Sequence, residues 1–276
     1  MSAPDQMSPK GVILCADDFA VHESASRGIA ALAALGRLSA TSAMVLSPRW
    51  PQDVALLQEV RGHIDVGLHL DWTSDFAVAA GHGMSLRAAM LKAALGGFDR
   101  NAARDVIERQ LDAFEAQWKA PPDFVDGHQH VQQFAGIREA LVQALASRYS
   151  GKSDHTPYLR ISRAPPASAD LKSRVIAAMG ASALETIATK EGITGATALL
   201  GIYDFSGDGA RYAALMADWL HAAPARSIIM CHPALSDEAG DAIGAARARE
   251  FAYLGSADFP QALARARVQL IRGVSQ

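Results

Sequence analysis

The strongest constraint on this chain is an alternation. From residue 11 onward, short apolar runs of β-forming residues take turns with longer segments whose apolar residues recur at helical spacing. The runs are GVILCADD (11–18), ATSAMVL (40–46), HIDVGLHL (63–70), DFVDGHQH (123–130), YLRIS (158–162), ATALLGIYDF (196–205), SIIMCH (227–232) and VQLI (268–271). Between them lie SRGIAALAALG, QDVALLQEV, AARDVIERQLDAFEAQW, IREALVQALASRY, LKSRVIAAMGASALETIA and YAALMADWLHAA, whose alanines and leucines favour helix. About eight strand–helix units predict a parallel sheet in the α/β class, as a TIM-like (β/α) barrel, irregular with seven or eight strands. An open doubly wound sheet has the same periodicity, because the pattern does not tell whether the first and last strands meet. Half of the 276 residues are hydrophobic, enough to bury one large core, so residues 1–276 are read as a single domain.

The stretch from Asp71 to Gly97 breaks the rhythm, with a loop-like VAAGHGM and then a helix candidate, SLRAAMLKAAL, placed to cover the barrel mouth. A formal net charge of -3 leaves no basic surplus to follow a nucleic-acid backbone. MSAPDQMSPK has no basic start followed by an apolar stretch, and no run approaches the ~20 apolar residues that span a bilayer, so a cytoplasmic protein is expected. Cys15 and Cys231 each sit in an apolar run and are read as buried, reduced thiols without a chemical role. Apolar helix faces serve a core or a homodimer contact equally well. SGDGA (206–210) lacks the lysine and spacing of a phosphate loop and is read as a turn.

Chemistry gathers where polar residues interrupt the apolar runs, and they do so at the C-terminal ends: Asp17 and Asp18, His69, His128 and His130, and His232. In parallel α/β architectures those ends line the ligand site. A carboxylate and two imidazoles from separate strands can hold a divalent cation and leave positions open for water and substrate, and Asp18, His69 and His128 fit that role. Asp17, the neighbour of Asp18, points elsewhere on a regular strand and is free to accept a proton. His128 and His130 are two apart, so on a strand they share a face and both reach one ion; His130 can equally contact substrate or support a ligand. Asp126 is a candidate to orient a ligand imidazole by accepting its other N–H. Trp72 offers an apolar body for a sugar face, although packing explains it as well. His22, His63, His82, His155 and His221 are expected on loops or the surface.

In this order ADDF (16–19), GLHL (67–70), DGHQH (126–130), LRISR (159–163) and CHP (231–233) resemble the YdjC-like carbohydrate deacetylases, which include chitooligosaccharide deacetylases and hopanoid-associated relatives. The resemblance implies a TIM-like barrel, a divalent ion usually assigned as magnesium, and hydrolysis of an N-acetyl group on a glucosamine-type sugar, free or carried on a lipid. It implies that Asp18, His69 and His128 bind the metal, Asp17 is the general base, His232 the general acid, and Arg160 supports the base or binds substrate. Ala20, Gln132, Ala164 and Ala234 depart from the family's usual residues and bear on substrate identity. The ligand set itself, two imidazoles and a carboxylate, suits zinc, cobalt, nickel or manganese better than oxygen-seeking magnesium. Two other readings use the same residues: a metal-dependent hydrolase of a cyclic amide or phosphoester, and a non-catalytic sugar-binding protein on the same scaffold. No lysine lies in the strand-end motifs to bridge a second ion, and a pure binder has no need of an acid–base pair.

Overall fold

A computed structural model describes residues 8–151 and 156–274. His155 and the first seven residues lie outside the described residues. Strands β1 (Lys10–Phe19), β2 (Ala40–Ala43), β3 (Asp65–Leu70), β4 (Phe124–Gly127), β5 (Tyr158–Leu159), β6 (Leu199–Leu200), β7 (Ile228–Cys231) and β8 (Val268–Leu270) form one parallel sheet. Its hydrogen-bonded order is β5-β4-β3-β2-β1-β7-β6, and β8 pairs off this path with the first residues of β1. The helices are α1 (Glu23–Ala34), α2 (Trp50–Gln58), α3 (Asp75–Ala79), α4 (Leu86–Ala94), α5 (Arg100–Trp118), α6 (Ile137–Tyr149), α7 (Leu171–Ala178), α8 (Ala181–Lys190), α9 (Gly209–Ala222), α10 (Gly244–Gly255) and α11 (Asp258–Ala266).

The sheet curls until its edges meet. The Leu159 N–H donates to the Thr194 carbonyl (2.9 Å), the Ala196 N–H to the Leu159 carbonyl (2.9 Å), and the Leu199 N–H to the Arg163 carbonyl (2.8 Å). These few bonds make a seam between β5 and the lead into β6, so an irregular TIM-like barrel of seven strands results, with the eighth at its base.

Side chains on a strand alternate between faces, and two apolar groupings follow that parity. Val12, Leu14 and Ala16 pack toward the helices, while Ile13 and Cys15 join Ala40, Phe124, Tyr158, Leu199, Ile228 and Met230 inside the barrel. Gly67 belongs to this interior: a Cβ there would meet the Phe124 ring at 2.5 Å, so only glycine admits that ring. Continuing the inward parity to the C-terminal ends brings Asp17, Ser42, His69, Asp126, Arg160 and His232 to one layer at the top of the barrel.

Two expectations need revision, and one segment carries elements not named from the sequence. The fourth run does not stay extended to residue 130: β4 ends at Gly127, and His128–Gln133 forms a 3-10 turn broken by left-handed Gln129 (φ 53) and His130 (φ 65). The single helix read over 171–188 is two, because Gly180 at φ 135 lies against the Gln133 carbonyl, where a Cβ would come within 2.2 Å. The C-terminal segment between β7 and β8, for which no helix is named from the sequence, holds α10 and α11.

Candidate active site

Asp17 and Asp18 are both buried, yet their carboxylates part company. Asp17 points inward and takes a two-pronged salt bridge from Arg160, NH1 to Oδ2 and NH2 to Oδ1, both at 2.6 Å. Asp18 adopts left-handed φ of 66 as the strand ends, which re-aims its side chain. Its Oδ2 accepts from Arg247 at 2.7 Å. Its Oδ1 is buried with no hydrogen-bond partner and lies 3.3 Å from both His69 Nε2 and His128 Nδ1. A lone carboxylate oxygen sealed from water is unfavourable unless a cation or donor meets it.

His69 is fixed from behind. Its Nδ1 lies 2.6 Å from Asp126 Oδ1 and 3.0 Å from Ser42 Oγ. A carboxylate only accepts from a ring N–H, so Nδ1 carries a proton and Nε2 faces Asp18 Oδ1. Burial alone would lower the His69 pKa, but Asp126, with Asp18 and Asp17, raises it well above the ordinary histidine range. In the same way burial opposes ionisation of Asp17, yet Arg160 outweighs it and keeps the carboxyl well below the usual range. Burial is likewise overcome at Asp18, by Arg247 and the two imidazoles.

The atoms of Asp18, His69 and His128 gather closely enough to hold one metal ion, and the donor set, with its orphaned oxygen, fits a divalent cation. Cys15, Asp17 and Asp126 also lie together, but the Arg160 guanidinium already fills the space among them: NH2 is 3.1 Å from Cys15 Sγ and 2.6 Å from Asp126 Oδ2. Cys15 therefore packs within the ion-pair web that holds Asp17, and both cysteines are free and buried.

His232 follows β7 and presents Nε2 at 3.9 Å from Asp17 Oδ2. Its ring stands edge-on to Phe205, and its backbone N–H donates to Glu250 Oε2 at 2.6 Å. These groups open onto a cavity of about 1000 Å³ lined by Asp17, Asp18, His69, His128, His130 and His232, among others. From the stretch expected to cover the mouth, α4 contributes Leu86 and Met90 to its wall.

The turn after β4 separates the two histidines of HQH. His128 faces Asp18, whereas His130 places Nδ1 at 3.1 Å from Ser162 Oγ and stays out of the metal-ligand group. A shared strand face, the premise for both reaching one ion, does not exist here. Trp72 is buried beside His82 and lies outside the cavity lining, so it presents no face to a ligand there.

Sequence reading missed Arg247, Glu250 and Asp241. Arg247 bridges Asp18 and Asp241 (2.6 Å), and Asp241 in turn meets His22 Nε2 at 3.1 Å. His22 is no free surface residue, because its Nδ1 accepts the Ala25 N–H and caps α1. Arg247 and Glu250 are three apart on α10 and both buried; that i, i+3 pair of charges on a small-residue face was the available signal.

The YdjC-like protein family model matches residues 11–265. The chain belongs to that family. No curated protein matches it. Among solved structures, this YdjC-like chain is similar to an Enterococcus faecalis protein described provisionally as a cellobiose-phosphate cleavage protein, with 19% identity, TM-score 0.69, and coverage of 96% of this chain and 98% of that one. Another is the catalytic domain of a peptidoglycan N-acetylglucosamine deacetylase from Eubacterium rectale, with 9% identity, TM-score 0.49, and coverage of 100% and 94%. At 19% identity the likeness to the Enterococcus faecalis protein is one of fold. Among the described residues of this family member, no helix is long and apolar enough to cross a membrane.

Proposed function

We propose that this YdjC-like protein is a metal-dependent hydrolase that removes the acetyl group from an N-acetylated amino sugar, a chitooligosaccharide or an N-acetylglucosaminyl conjugate. The observation that carries the reading is the buried Oδ1 of Asp18, which has no well-aligned hydrogen bond and faces His69 Nε2 and His128 Nδ1, one residue from an ionised Asp17 and across from His232. Membership of the family supports the sugar.

Asp18, His69 and His128 would hold the ion. When bound, a divalent cation supplies Lewis acidity toward the acetyl carbonyl and makes water more acidic. Asp17 accepts the proton of the attacking water; Arg160 keeps it ionised and in place, since both its oxygens are engaged. His232 delivers a proton to the departing nitrogen as the C–N bond breaks, a step an amide requires because its nitrogen leaves poorly as an anion. One amide and one water thus become acetate and the amine. The ligand set favours zinc, cobalt, nickel or manganese on chemical grounds, and family custom favours magnesium.

The test is acetate release from N-acetylglucosamine, chitooligosaccharides and N-acetylglucosaminyl lipids, with metal-stripped and metal-restored protein. Asp17→Asn is expected to lower turnover by about 10²–10⁴-fold while still binding metal. Equal turnover in that variant would overturn the role of Asp17, and no release from any sugar would overturn the reaction.

A further inference from the structure

We infer that His130 is a substrate-recognition residue locked in one neutral tautomer, which offers Nε2–H to an uncharged oxygen of the substrate such as a sugar hydroxyl, and that Gln132 sets this tautomer through Ser162. The substrate's chemistry rests on the sugar-hydrolase reading above; the tautomer does not.

The argument runs along a chain of hydrogen bonds. The Gln132 side-chain nitrogen lies 3.2 Å from the Arg160 carbonyl and 3.0 Å from Ser162 Oγ. A carbonyl only accepts, so the amide nitrogen, not its oxygen, must face it. That orientation leaves Gln132 Oε1 without a partner, but the flipped amide would set two oxygens 3.2 Å apart. Ser162 Oγ therefore accepts from Gln132, and its own hydrogen has to go elsewhere. Ser162 is fully buried, and its other side-chain partner among the described residues is His130 Nδ1 at 3.1 Å. Were Nδ1 to donate, the serine hydrogen would have no acceptor; so Nδ1 accepts, and Nε2 carries the proton.

Backbone geometry says why the ring is there. Gln129 and His130 are consecutive left-handed residues, a conformation unfavourable outside glycine that persists only where the surroundings impose it. It turns the His130 ring away from the metal ligands and toward Ser162. Nε2 has no protein partner among the described residues, and His130 lines the cavity that holds Asp17, Asp18 and His232. A fixed donor on a residue of the cavity wall that also holds the acid–base pair is a means to orient a ligand oxygen. It is also a means to reject a ligand lacking one, because the N–H is then left unpaired. Gln132, a departure from the family's usual histidine, sets the donor's direction here.

The experiment is long-range 1H–15N NMR on histidine-labelled full-length protein, with His130→Gln to identify the His130 signals, followed by titration with di-N-acetylchitobiose. The expected result is an unprotonated Nδ1 and a protonated Nε2, converted to mixed tautomers by Ser162→Ala, with the Nε2–H signal shifting as sugar binds. In steady-state assays His130→Ala should raise KM about three- to tenfold, the loss of one neutral hydrogen bond, with kcat and the pH profile unchanged. His130→Gln, whose amide nitrogen can occupy the Nε2 position, should recover most of it. A protonated Nδ1 overturns the relay. The predicted tautomer together with acetate release but no signal shift and an unchanged KM overturns the recognition role. The predicted tautomer with no turnover of any sugar and no shift means that the hydrolase reading, and with it the recognition role, has failed while the relay stands.

Discussion

Replacing Asp65 with asparagine should stabilise the protein above pH 6. Asp65 lies at the bottom of the barrel interior, 5% exposed, where Oδ2 accepts from Tyr158 OH (3.0 Å) and the Gly273 N–H (2.6 Å). Burial pushes its pKa from 3.8 up to about 6, and the nearby Asp123 charge adds to the rise; the two hydrogen bonds only partly offset it. A carboxyl whose native pKa is raised binds more protons folded than unfolded, so its contribution to stability falls as pH climbs from about 4 to 6 and is lowest above that. Two units correspond to about 3 kcal/mol at pH 8, of which about half is already present at pH 5. The amide oxygen of asparagine can still accept both hydrogen bonds, without the buried charge. Urea unfolding of the two proteins side by side cancels every other titrating group. The stability gap in favour of Asp65→Asn should widen by about 1.4 kcal/mol between pH 5 and pH 8, which is about 3–6 °C in Tm for a chain of this size. A gap that is flat across that range, or a variant less stable than the parent at pH 8, would refute the reasoning.

Other outcomes follow from the site and the fold. Asp126→Ala removes the acceptor that fixes the His69 ring and should weaken metal binding about 10–100-fold in a chelator-competition titration; unchanged affinity would show that the ring is oriented without it. Because the pKa of His69 is raised in the metal-free protein, a proton occupies the site that the ion needs, so metal affinity should rise with pH at neutrality and below. Calorimetry in buffers of differing ionisation enthalpy should register about one proton released per ion, and no buffer dependence would contradict that competition. Gly180→Ala forces a methyl against the Gln133 carbonyl at a left-handed position and should cost about 3 kcal/mol or more by denaturant unfolding; a neutral effect would mean that the α7–α8 junction is free to move.

Much of this was legible because parallel barrels put chemistry at strand ends. Asp17, Asp18, His69, His128 and His232 each end an apolar run; period-two alternation brings Asp17, His69 and His232 to one layer, and Asp18 and His128 join them from the left-handed strand end and the turn after β4. What stayed hidden has physical reasons. Arg247 comes from a helix whose alanines carry weak amphipathic signal, and its partner Asp18 is 229 positions away. The parting of His128 from His130 depends on two left-handed residues that no composition rule encodes. Strand lengths were overread at YLRIS and ATALLGIYDF, since apolar burial continues there after ladder pairing stops. The break at Gly180 is set by a carbonyl from another segment, which local helix propensity does not register.

The seam that closes the barrel bears on how the site breathes. β5 and β6 are two residues each, and the ring is completed there by backbone bonds at Leu159, Ala196 and Leu199, fewer than join any of the long central strands. Amide protons along this joint should exchange with solvent sooner than those of β1 or β3, since a short ladder opens at low free energy. Arg160 sits directly on it, one residue beyond β5. Each local opening therefore loosens the guanidinium that holds Asp17, and a ligand that engages Asp17 and His232 would be felt as slowed exchange at the far ends of the same bonds. The joint expected to open most readily is the one to which Asp17 is tied.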